Sequence, residues 1–233
     1  MPRETLDRKL RQLQDDVLIL GSMVQQAIKA ATAALTARDL VAARRIIEGD
    51  MEINRRRFQL ERDCLICLAT QSPMAGDVRV VAAVLEIATD LERMGDYAKG
   101  ISRVSLMLGP KPLFKPLPEI EQMADKGCEL LRRALDAFVQ RDVAAAREIP
   151  SEDDQVDALY NQVYRQLLDA IIADPAVMDE ATNLLWVAHD LERFSDRVTN
   201  ICERTVFTVT GEMRELDVDD QDEPISERRQ DLS

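Results

Sequence analysis

Ring-bearing side chains are scarce in this chain: one histidine, five phenylalanines, three tyrosines and one tryptophan among 233 residues. A lone histidine, His189, excludes the carboxylate di-iron oxidase pattern, which takes a Glu-x-x-His element from each of two helices. Glycine is also sparse, at eight residues, and neither GxGxxG nor GxxxxGK[ST] occurs, so the loops that cradle nucleotide phosphates are missing. There is no GxSxG elbow, and no side chain stands out as a nucleophile or general base. Few glycines and aromatics beside 46% hydrophobic and 31% charged residues favour a soluble helical protein.

Positive charge is in short supply too. Thirty Lys and Arg against 43 Asp and Glu leave a formal charge of −13, which argues against a nucleic-acid partner, since such proteins bind largely by neutralising phosphates. Long apolar runs are absent: the longest stretch without a charge, residues 64–76, is too short to cross a bilayer. The N-terminal "MPRETLDRKLRQLQDD" lacks the apolar core of a secretory signal, so a cytoplasmic protein without direct membrane insertion is expected. Of four cysteines, only Cys64 and Cys67 form a CxxC, and their spacing puts both on one apolar helix face, where they read as core packing.

What the chain has in abundance is internal repetition. "ARDLVAARRI" (37–46) returns 103 positions later as "QRDVAAAREI" (140–149), Ser72-Pro73 returns as Asp174-Pro175, and "DLERMGD" (90–96) returns as "DLERFSD" (190–196). Each copy reads as three helices. In the first, Leu10, Leu13, Val17, Leu20 and Val24 mark one helix, a second covers about 39–70 with a weak point at Gly49, and a third starts with Ser72 as N-cap and Pro73 at its first position. The third carries the stripe Val80, Val84, Ile87, Leu91, Met94, Ala98 and Ile101. "GPKPLFKPLP" (109–118) cannot be helical throughout. In the second copy Pro150, Ser151 and Asp154 predict a capped helix restart, and Leu184, Val187, Leu191, Phe194, Val198 and Ile201 form the last stripe. The expected architecture is all-α, two tandem three-helix bundles over 1–109 and 119–213, joined by a Pro-rich linker at 110–118 and followed by an acidic, disordered tail at 214–233.

Glu92 and Asp96, and again Glu192 and Asp196, place like charges one helical turn apart, outside the core stripe, an arrangement a plain helix disfavours. The preceding helix of each copy offers a matching pair, Asp50 with Asn54 and Asp153 with Asp157. If adjacent helices run antiparallel, each copy gathers oxygen donors of the kind hard cations select, such as Mg²⁺, Mn²⁺, Ca²⁺ or iron. A solvated face with Arg93 and Arg193 pairing to neighbouring acids is the alternative reading.

Two tandem three-helix units, each with a DLER-x-x-D motif, resemble the PhoU family of regulators associated with bacterial high-affinity phosphate transport. "DMEIN" (50–54), "PMAGDVR" (73–79) and "DRVTNICER" (196–204) are similar to further family motifs, and the resemblance spans residues 3–215. It implies a cytoplasmic, often dimeric protein that restrains phosphate uptake and the phosphate-starvation response. It further implies contact with a membrane sensor histidine kinase and with the ATPase subunit of the phosphate ABC transporter. Multinuclear metal clusters (Mg, Mn, Fe or Zn, the identity open) would then sit on Glu92, Asp96, Glu192 and Asp196. Asp50, Asn54, Asp153 and Asp157 would support them, with Asp90, Asp190 and Asn200 nearby. No catalytic or cofactor-binding residue is expected; a metal-dependent enzyme on the paired carboxylates, or a metal-free helical adaptor, are the rival functions. Three positions depart from the family pattern: Gly100 where the second copy has Asn200, Ser195 in place of a glycine, and His189 in place of an arginine. The first departure removes a donor, so the copies are expected to bind metal unequally.

Overall fold

The computed structural model describes residues 2–216. They form the helices α1 (Pro2–Ala37), α2 (Leu40–Gln71), α3 (Ala75–Leu108), α4 (Pro118–Gln140), α5 (Val143–Glu148), α6 (Asp154–Ala173) and α7 (Met178–Thr210), with 3₁₀ turns at Pro150–Glu152 and Pro175–Val177. No strand occurs among the described residues, and the all-α fold of two tandem three-helix units is the one expected. Of the acidic tail, residues 217–233 lie outside the described residues.

In α1 the stripe extends beyond the five residues read from the sequence, from Leu6 through Ile28 to Leu35, and all of it is buried. By length and composition alone this helix is apolar enough to cross a membrane. Its apolar face is instead covered by α2, α3 and α4. α1 ends where Arg38 turns left-handed (φ 58°), which lets Asp39 cap α2 by accepting from the N–H of Val41 and Ala42 at 3.0 and 2.9 Å. A left-handed arginine is uncommon. Here the guanidinium is held by the carbonyls of Lys111, at 2.9 Å, and Gly109. The same turn recurs at Arg141 (φ 56°), with Asp142 capping Ala145.

One local expectation holds and two are corrected. α2 runs unbroken through Gly49, an exposed position with open space around its missing side chain, so the glycine weakens the helix without ending it. Ser72 does not cap α3; it is left-handed (φ 45°) at the end of α2, and α3 starts at Ala75. The capping is done from inside the helix by Asp77, which accepts the Met74 N–H at 3.1 Å and is gripped by Arg3 at 2.8 Å. Ser151 caps nothing either, because its hydroxyl donates backwards to the Glu148 carbonyl. Pro150 therefore splits the second unit's middle helix into α5 and α6, where α2 is continuous.

α3 and α7, the two DLER helices, pack on each other and on the remaining helices of their own units. One continuous hydrophobic core results, running from Leu6 to Val206. Phe194 is wholly buried over Gly127, where a Cβ would come within 3.0 Å of its ring. All four cysteines are free and buried, and burial pushes the Cys64 thiol up to about 12.

Candidate functional site

Antiparallel pairing of α2 with α3, and of α6 with α7, brings the predicted acidic sets together on each unit's surface, and the two sets differ. In the second unit Asp153, Asp157 and Asp196 each offer a carboxylate oxygen, all within 4.8 Å of one another, in a group that can hold a metal ion. Asp153 sits at the junction of the 3₁₀ turn and α6, where it is buried at 8% exposure and accepts a hydrogen bond from the Ser195 hydroxyl. Glu192 lies half-buried beside them. Burial, then Asp196, then Asp157 push its carboxyl up to about 7, and its Oε2 takes no hydrogen bond although His189 Nδ1 is 3.4 Å away.

In the first unit Asp50 is buried at 4% exposure, and the ammonium of Lys99 reaches it at 2.6 Å and Asp96 at 3.6 Å. Asn54 donates to the Asp50 carboxylate at 3.1 Å. Burial, then Asp96, raise the Glu92 carboxyl, while Arg57 and Arg93 oppose the shift. Lys99 was not foreseen from the sequence. The available signal was Asp-x-x-Lys at 96–99 against Asp-x-x-Thr at 196–199.

The supporting residues Asp90, Asp190 and Asn200 are not drawn into either cluster; they lie along the α3–α7 contact, Asp90 against Asn200 and Asp190 against Gly100. Arg197 donates to Asp90 at 2.8 Å and to the Tyr97 hydroxyl at 3.0 Å, and Asn200 reaches Asp90 at 3.4 Å. The repeat-related Asp190 lies over Gly100, where a Cβ would be 2.6 Å from its Oδ2, and burial pushes its carboxyl up to about 6. Gly100 is thus a position of close approach between the units, which explains in part why the first unit lacks the second unit's asparagine.

The sequence matches the PhoU domain twice, over residues 17–104 and 120–205, which are the two structural repeats. The chain belongs to the PhoU family. It is 33% identical over 217 residues to a phosphate-specific transport system accessory protein PhoU homolog of Clostridium acetobutylicum, covering 93% of this chain and 99% of that protein. A homolog from Aquifex aeolicus, also 33% identical, covers 89% of this chain and 94% of its own length. The crystal structure of the phosphate transport system regulatory protein PhoU from Streptococcus pneumoniae superposes with a TM-score of 0.83 at 32% identity, covering 90% of this chain and 99% of that one. PhoU from Pseudomonas aeruginosa gives 0.82 at 27% identity, covering 88% and 99%.

Within this PhoU fold the second cluster suits an oxygen-preferring cation. Oxygens bound to one Ca²⁺ ion are about 5 Å apart at most, and the three carboxylate oxygens lie within that reach of one another. The buried Glu192 Oε2 supplies a further acceptor in need of a partner. Asp157 is exposed and Asp196 half-exposed, so a cation there would be reached from solvent and could be seen by another protein.

Proposed function

We propose that this chain is a non-enzymatic negative regulator of phosphate uptake and of the phosphate-starvation response. It acts in the cytoplasm as a homodimer, by contact with the ATPase subunit of the phosphate ABC transporter and with its membrane sensor histidine kinase. The observation that carries this reading is the near full-length match to accessory proteins of phosphate-specific transport. α1 is committed to the bundle core, which supports an attachment to the membrane through partners rather than by insertion.

A divalent cation held by Asp153, Asp157, Glu192 and Asp196 serves, in this reading, as part of the docking surface. Its exposure favours that role, because chemistry generally uses a drier, enclosed site. The test is binding of the purified chain to the purified ATPase subunit by biolayer interferometry, with Mn²⁺ and with chelator. The proposal expects binding that the chelator weakens about tenfold and that Asp157→Asn with Asp196→Asn weakens equally. No binding in either condition would count against transporter contact, and binding indifferent to chelator would remove the metal from the account.

A further inference from the structure

The two units satisfy the same buried aspartate by different means. In the second, a neutral hydroxyl, Ser195, donates to Asp153. In the first, position 95 is glycine, whose place against α2 is filled by Ile53, and the donor to Asp50 is the Lys99 ammonium. Lys99 lies on α3 one turn beyond Asp96, and its side chain is 23% exposed. It therefore bridges α2 to α3 from between the carboxylates. The corresponding residue of α7 is Thr199, buried and without charge.

From this juxtaposition we propose that Lys99 is the resident cation of the first acidic cluster. It occupies the place that a divalent ion takes in the second, so the chain has one metal site and a covalently tethered substitute for the other. A metal ion would bind Asp50 Oδ2 at about 2.0–2.6 Å. The Lys99 nitrogen already stands 2.6 Å from that oxygen, so ion and ammonium compete for one volume as well as repelling each other. The ammonium cannot diffuse away, because its own helix holds it. The inference concerns the first unit; only its contrast with the second rests on the metal reading above.

The test is Mn²⁺ stoichiometry on the chelator-treated full chain, by equilibrium dialysis with elemental analysis, with circular dichroism confirming the fold of each variant. Wild type should bind one ion, and Lys99→Thr, which copies the second unit, should bind two. The reciprocal Thr199→Lys should bind none, and it keeps the test open if loss of Lys99 unfolds the chain. Wild type binding none while folded Lys99→Thr binds one would uphold the role of Lys99 and refute the metal reading of the second unit. Two ions on wild type, no gain in folded Lys99→Thr, or an ion retained by Thr199→Lys would each overturn the proposal.

Discussion

Replacing Arg197 by alanine would test whether the two units are joined by a specific polar contact as well as by shared apolar surface. Arg197 reaches across from α7 to Asp90 at 2.8 Å, and the two side chains keep only 14% and 12% of their exposure. It also donates to Tyr97 and lies 5.8 Å from the centre of its ring. Burial alone would lower the guanidinium pKa; the bonds to Tyr97 and Asp90 outweigh that and raise it. Removing one member of a fully buried ion pair costs about 3–5 kcal/mol, because the other charge is left unpaired. Scaled for the residual solvent contact and for Asn200, which keeps one weak bond to Asp90, roughly 2–4 kcal/mol is expected here. For a chain of this size each kcal/mol moves Tm by about 2–4 °C, so the melting temperature should fall by roughly 4–16 °C. Urea unfolding followed by circular dichroism measures the loss. A loss below about 0.5 kcal/mol would refute the reasoning.

Other substitutions probe single steps of the same account. Gly49→Ala fills open space in the middle of α2 and should stabilise the chain by about 0.5–1 kcal/mol, read as a higher urea midpoint at constant m-value. Phe194→Ala empties a fully buried ring site above Gly127 and should cost about 3–5 kcal/mol in the same measurement. The bond from Arg3, then that from the Met74 N–H, hold the Asp77 carboxyl below its usual range against burial. Its contribution is thus present above about pH 3.9 and lost as pH falls through the depressed folded value. Arg3→Ala should shift the acid-unfolding midpoint upward, and an unchanged acid limb would show that Asp77 does not need Arg3.

The fold was readable because its main signals are local and repeated. Stripes such as Val80 to Ile101 and Leu184 to Ile201 identify helix faces from a single chain, and all these residues are buried as their spacing requires. The 103-position repeat paired Asp50 with Asp153 and Asn54 with Asp157, and the structure does bring Asp153 and Asp157 to Asp196. Helix ends were less readable. Asp77 and Ser72 both carry capping oxygens, and the choice between them depends on Arg3, which lies 74 residues from Asp77. The membrane-like composition of α1 was overlooked because a count of uncharged runs is interrupted by charges that a helix places on its other face. Lys99 escaped notice for a related reason: its partner Asp50 is 49 residues away, and only the α2–α3 packing shows that an ordinary surface lysine reaches a buried carboxylate.

Regulation is the central claim, and a phosphate-starvation reporter tests it most directly. The reporter is read in phosphate-replete cells with the gene deleted, then restored as wild type or as the Asp157→Asn, Asp196→Asn variant. The account predicts derepression on deletion, full repression with the wild type and incomplete repression with the variant at equal protein level. A reporter that stays silent when the gene is deleted would contradict it.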